Sequence, residues 1–191
     1  MIDLKGRELV LASASPRRKW LMEELGVPFI VQPKNVDEVY PSHLKREEIP
    51  LFLSKLKADS FSDDELKGRI ILTADTIVWL KDKELQKPID LEDAKRMIRQ
   101  LSGTAHEVFT AITLRTSEKS ISDFDRTEVH FRELTEDEID YYVQKYRPLD
   151  KAGAYGIQEW IGYVGIDRIA GCYFNVMGLP LRKVYTALNQ L

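Results

Sequence analysis

Apolar positions recur along this chain in two rhythms, and their succession predicts an α/β protein. Glu8-Leu9-Val10-Leu11 reads as a strand. It is followed by a helix for which Ser15 is a good N-cap and Pro16 suits the first helical position. Gly26 closes that helix, and Phe29-Ile30-Val31 continues as a second short strand. Residues 33–48 are polar and carry two prolines, which predicts a long loop before a helix over about 49–61. Arg69 to Ala74 is apolar with little alternation, the mark of a strand buried on both faces of a mixed sheet, and it is expected to end at Asp75. Ile77-Val78-Trp79-Leu80 and Glu84-Leu85 flank a polar turn and predict a hairpin.

In the second half, Asp90 with Asp93 opens a helix that ends at Leu101 before Ser102-Gly103. Alternation in Val108, Thr110, Ile112 and Leu114, then in Thr127, Val129 and Phe131, predicts two half-buried antiparallel strands. Thr135 and Glu138 form a capping-box pattern for a helix reaching Tyr146. A Gly-rich segment, residues 151–158, follows, and a helix over about 180–189 closes the chain. No repeat, low-complexity tract or linker interrupts the pattern, so residues 1–191 are expected to form a single domain.

Composition narrows the classes. With 43% hydrophobic residues, 191 residues can bury a proper core. A net charge of −3 argues against a protein that coats nucleic acid, whose affinity comes from clustered Lys and Arg. The single cysteine, Cys172, excludes an intramolecular disulfide and a thiolate zinc cluster; it reads as a small buried residue in a cytoplasmic protein. No apolar signal core opens the chain and no run of about 18 apolar residues occurs, so no membrane partner is expected.

Charge placement changes the picture most. Arg17, Arg18 and Lys19 stand in the first turn of a helix, where a cation is disfavoured by roughly 0.3 to 1 kcal/mol. A phosphate bound there reverses that penalty. Asp75, with the hydroxyl of Thr76 beside it, follows a buried strand, where open α/β sheets place ligands; a chain-turning Asp is an equal reading. Glu38 reads as a solvated loop acid, and Lys57 and Lys87 as surface lysines. Lys151, next to Asp150 and the glycines after it, fits either a ligand contact or a surface ion pair. His43, His106 and His130 lack metal-ligand spacing, and neither a Walker loop nor a GxSxG elbow is present. Cations with a few carboxylates are the kit for binding a polyphosphate through Mg²⁺, which takes one or two protein carboxylates and completes its shell with water and phosphate.

In order along the chain stand LASASPRR at 11–18, Asp37-Glu38, Lys57-Ala58, ADT at 74–76, Lys87-Pro88, LSG at 101–103 with His106, DKAGAYGIQ at 150–158 and GLP at 178–180. Together these motifs resemble the Maf family of nucleoside triphosphate pyrophosphatases, once called septum-formation inhibitors. The resemblance implies a mixed elongated sheet flanked by helices, with two lobes around a central cleft, similar to the inosine triphosphatase group. It implies cleavage between the α and β phosphates with a divalent metal, Mg²⁺ or Mn²⁺. Asp75 then matches the catalytic position. Glu38 and Asp75 match metal positions, and Ser13, Arg18, Lys57, Lys87 and Lys151 match phosphate-site positions. Arg17, Thr76 and Gln158 match the base-selecting positions, in the combination of the branch acting on dTTP, UTP and modified pyrimidine nucleotides. A homodimer is a further implication. Alternatives are an enzyme for 7-methyl-GTP or another modified nucleotide, and a non-catalytic regulator of cell division. The chain departs from the family pattern in two places: Gln86 precedes Lys-Pro where glycine is usual, and Glu159-Trp160 follows Gln158 where glycine is common.

Overall fold

A computed structural model describes residues 2–191. Its strands are β1 (Glu8–Leu11), β2 (Ile30–Val31), β3 (Arg69–Leu80), β4 (Lys83–Leu85), β5 (Ala105–Arg115), β6 (Ser120–Phe131) and β7 (Ile166–Ala170). The helices are α1 (Pro16–Glu24), α2 (Glu48–Asp59), α3 (Asp63–Leu66), α4 (Leu91–Leu101), α5 (Glu136–Tyr146), α6 (Trp160–Gly165), α7 (Tyr173–Val176) and α8 (Leu181–Leu188), with a 3-10 turn at Ala152–Ala154. The strands form one mixed seven-stranded sheet in the order β2-β1-β3-β5-β6-β7, with β4 on β3.

The chain folds into two compact units. The first comprises residues up to Asp75, Thr110–Asp125 and Gly178–Leu191; the second comprises Thr76–Phe109 and Arg126–Met177. In the first, β1 runs parallel to both β2 and β3, with Leu9 opposite Ile70, Val10 opposite Ile71 and Leu11 opposite Leu72. Parallel strands need crossovers, and α1 and α2–α3 supply them. All six paired side chains are at most 1% exposed, which is the burial on both faces that the unalternating pattern predicts. Phe61 and Leu66 close over Val10 and Ile71.

The predicted helix ends are in place. Ser15 caps α1 by accepting from the Arg18 amide, Asp90 caps α4 by accepting from the Asp93 amide at 2.7 Å, and Thr135 and Glu138 form the capping box of α5. Such caps satisfy backbone donors that the helix itself leaves without partners. In the second unit α4 packs against α5, and their facing surfaces carry the Arg99–Glu136 and Lys95–Asp140 ion pairs.

Two expectations need correction. The third strand does not stop at Asp75: it continues to Leu80 and turns into the β3–β4 hairpin, so Asp75 stands mid-strand. Nothing at 75–76 breaks the strand, and the β-branched Thr76, Ile77 and Val78 carry the extended backbone onward. Cys172 is half-buried, not buried; its backbone amide and carbonyl are both held by the Thr127 hydroxyl, at 3.0 and 3.1 Å.

Candidate active site

In the first unit, three elements converge on one ammonium group. Lys57, in the last turn of α2, places Nζ 2.6 Å from Asp75 Oδ1 and 2.8 Å from Glu38 Oε1. The lysine expected at the surface has its side chain only 16% exposed, and Asp75 is 6% exposed. Burying an ion pair is costly unless the geometry is good, and here one cation serves two carboxylates. Glu38 reaches this group from the loop while remaining about half exposed.

Arg18 braces the same place. Its Nε donates to the Gly178 carbonyl at 2.8 Å and its Nη1 to the Ala74 carbonyl at 2.9 Å, with a longer contact of 3.4 Å to the Ser13 hydroxyl. The guanidinium thus ties the residue before Asp75 to the turn that opens α8. Burial lowers the Arg18 pKa, and the attraction of Asp75 opposes that shift; Arg17 lowers it further and Glu38 raises it. The group stays charged all the same. Ser13 is 9% exposed and also accepts the Ser15 amide at 3.3 Å. Arg17 is half-buried at the start of α1, whereas Lys19 points to solvent and pairs loosely with Glu23 at 3.7 Å.

The second unit gathers Lys151 and Gln158 on the Gly-rich segment. Lys151 is 8% exposed, with Nζ 2.7 Å from Asp150 Oδ1 and 3.1 Å from Glu159 Oε1. The segment's shape depends on Gly153: at φ 69° it lies where a Cβ would meet both Val78 methyls at 3.1 Å. Its amide donates to the Gln86 carbonyl at 3.1 Å, which fastens the residue next to exposed Lys87 to the same turn. Ala154 follows at φ 60°, a strained conformation for a residue with a side chain. Tyr155 shares a 2.7 Å hydrogen bond with His106 Nε2, and burial pushes the His106 pKa down to about 3. The half-buried Gln158 has its side-chain oxygen shut from solvent without a hydrogen-bond partner among the described residues. Such an orphan costs about 1–3 kcal/mol until a water, a ligand group or a side-chain shift satisfies it.

Thus the first unit brings together Ser13, Arg18, Glu38, Lys57 and Asp75. Thr76, Lys87, Lys151 and Gln158 belong to the second. Among the described residues, no group of three or more His, Cys, Asp or Glu is arranged to hold a metal, and Glu38 and Asp75 are the two carboxylates that Lys57 gathers. Sequence reasoning missed Tyr142 and passed over the contacts of Glu159. Ile139, Tyr142 and Val143 form the buried stripe of α5, and a buried tyrosine hydroxyl needs a partner; that was the available signal.

The class is that of a mixed α/β protein whose sheet carries a buried lysine–carboxylate group. A family model described as "Maf-like protein" matches residues 8–191, and the chain belongs to that family. It is 50% identical over 190 residues to a protein of Bacteroides thetaiotaomicron named dTTP/UTP pyrophosphatase, covering 99% of this chain and 98% of that one. It is also 50% identical, over the full length of both chains, to a Bacteroides fragilis protein of the same name. A Cytophaga hutchinsonii protein, again so named, is 48% identical over 98% of this chain and 86% of its own. A crystal structure of a nucleoside-triphosphatase / dITP/XTP pyrophosphatase from Mycobacterium abscessus is similar with a TM-score of 0.41 and 14% identity, over 94% of this chain and 92% of that one. That likeness is too distant to bear on fold or function. No helix among the described residues is long and apolar enough to cross a membrane.

Proposed function

We propose that this protein hydrolyses dTTP and UTP, together with modified pyrimidine nucleoside triphosphates, to the monophosphate and pyrophosphate. The observation that carries the reading is Lys57 Nζ held between Asp75 and Glu38. The relatives' name supplies the substrate. In this reading Asp75, fixed on a strand and oriented by Lys57, takes the proton from a water that attacks the α-phosphorus, and pyrophosphate leaves. Ser13, Arg18, Lys57, Lys87 and Lys151 neutralise and orient the phosphates, while Arg17, Thr76 and Gln158 select the base. The edge of uracil or thymine offers an N–H donor beside carbonyl acceptors, and a side-chain amide has the complementary acceptor and donors. The orphaned Gln158 oxygen is an acceptor of that kind.

Glu38 and Asp75 would hold Mg²⁺ or Mn²⁺, and the donors fit: two carboxylates, already gathered around positive charge, meet the modest demand of Mg²⁺ for protein ligands. When bound, the cation supplies further charge neutralisation at the phosphate oxygens. The reading includes a cytoplasmic homodimer that clears the nucleotide pool. The test is a nucleotide panel with Mg²⁺ or Mn²⁺ and identification of products by phosphorus NMR. Pyrophosphate released from dTTP and UTP is expected; orthophosphate release, or binding without turnover, overturns the proposal.

A further inference from the structure

Glu159 directly follows Gln158, and the proposed function gives it no task. Its carboxylate nevertheless joins the two ends of the Gly-rich segment. Oε1 meets Lys151 Nζ at 3.1 Å, and Oε2 accepts the hydroxyl of Tyr142. That hydroxyl in turn accepts the Gly156 amide at 3.0 Å, and the Glu159 amide donates to the Gly156 carbonyl at 3.0 Å. Tyr142 is fully buried and stacks on Tyr146 with 5.1 Å between ring centres, so its hydroxyl has little freedom. Burial, and then the hydrogen bond to Glu159, push its pKa up, which keeps it a donor.

Gln158 lies between two members of this clamp in the chain, Gly156 and Glu159. A Cβ on Gly156 would meet Glu159 Cδ at 2.8 Å and Gln158 Nε2 at 3.0 Å, so both side chains pack over a bare Cα. The Gln158 backbone carbonyl is also held, by the Tyr163 hydroxyl. The orientation of the Gln158 amide matters chemically. With its oxygen facing the base it accepts the ring N–H of uracil or thymine. Rotated by half a turn about its last bond, it presents the donor and acceptor that the cytosine edge matches, since cytosine offers an amino donor beside a ring-nitrogen acceptor.

We propose that Glu159, acting with the Tyr142 hydroxyl, is a positioning residue that holds the Gln158 amide in the orientation that selects uracil and thymine over cytosine. The assignment rests on the reading of Gln158 as a base-selecting residue. It predicts that loss of the clamp releases the amide to both orientations and erodes selectivity, beyond any general loss of activity.

The experiment compares kcat/KM for UTP and CTP in the wild type, Glu159→Ala, Glu159→Gln and Tyr142→Phe, with the Tm of each variant as a check on folding. In Glu159→Ala and Tyr142→Phe the UTP/CTP ratio should fall about tenfold, the scale of the net worth of one hydrogen bond. Glu159→Gln, which retains an oxygen for the Tyr142 hydroxyl, should recover most of the ratio. The double variant Glu159→Ala/Tyr142→Phe should show no further loss of selectivity, because the two groups act as one. Variants that lose activity on both nucleotides at an unchanged ratio overturn the assignment and leave the proposed function standing. So does a wild type that takes CTP as readily as UTP. A wild type inert on dTTP and UTP overturns the proposed function itself, and this inference with it.

Discussion

Each unit holds a lysine between two carboxylates, and the two groups are built in different ways. Around Lys57 the partners come from a loop, a helix and a strand: Glu38, α2 and Asp75. Around Lys151 they come from one short stretch, Asp150 and Glu159. The first group exists only once β3 and α2 have packed, and its central carboxylate sits on a strand buried on both faces. The second is local, and its shape depends on backbone conformations near Gly153 and Gly156. In the proposed function the first group supplies the fixed carboxylate for the chemistry and the second supplies selection among similar ligands, where small changes of side chain shift a pose without disturbing the sheet.

Removing the carboxylate proposed to react tests the contrast most severely. Asp75→Asn should lower kcat on dTTP by about 1,000-fold with little change in Tm, as measured by pyrophosphate release. Retained activity would mean that the first group is merely an ion pair. Next, Lys57→Met should cost about 100-fold in kcat/KM, since two carboxylates lose their common cation; an equal loss on every nucleotide would keep base selection in the second unit.

Acid should weaken the second unit through His106. Its folded pKa of about 3 lies below the ordinary 6.5, so under pH 6.5 the unfolded chain binds a proton that the folded one refuses. Stability is therefore complete above 6.5 and falls by about 1.4 kcal/mol per pH unit from there toward 3. Urea midpoints from pH 7 to 5 should show this slope in the wild type and lose it in His106→Asn. Gly153→Ala should destabilise by about 1–2 kcal/mol in the same assay, through a positive φ and contact with Val78. At the small end, Lys19→Ala should stay within about 0.5 kcal/mol of wild type and leave kcat unchanged, because this exposed partner of Glu23 belongs to neither group.

Local chemistry made most of the elements legible in the sequence. Ser15, Asp90 and the Thr135–Glu138 box mark helix starts by the hydrogen bonds their side chains offer, and those bonds are present. Asp75 was visible as a candidate but misplaced, because a polar residue after an apolar run looks like an end when the strand simply continues. The partners of Lys57 were out of reach: no spacing in the sequence brings residues 38, 57 and 75 together, and only the packing of α2 beside β3 does so. Arg18 shows the same limit. Its position in the first turn of α1 suggested an anion, while its contacts with the Ala74 and Gly178 carbonyls depend on segments distant in the chain.

The bare Cα of Gly156 also constrains how this sequence can change over time. With Glu159 in place, an alanine at 156 would put its methyl 2.8 Å from the Glu159 carboxyl carbon, so the carboxylate must shift and loosen its hold on Lys151 and Tyr142. The two positions are therefore coupled: a methyl at 156 disturbs the clamp while Glu159 is present, and that cost disappears once position 159 has shortened. Lineages that keep the clamp should keep Gly156, so the two positions form one evolutionary character.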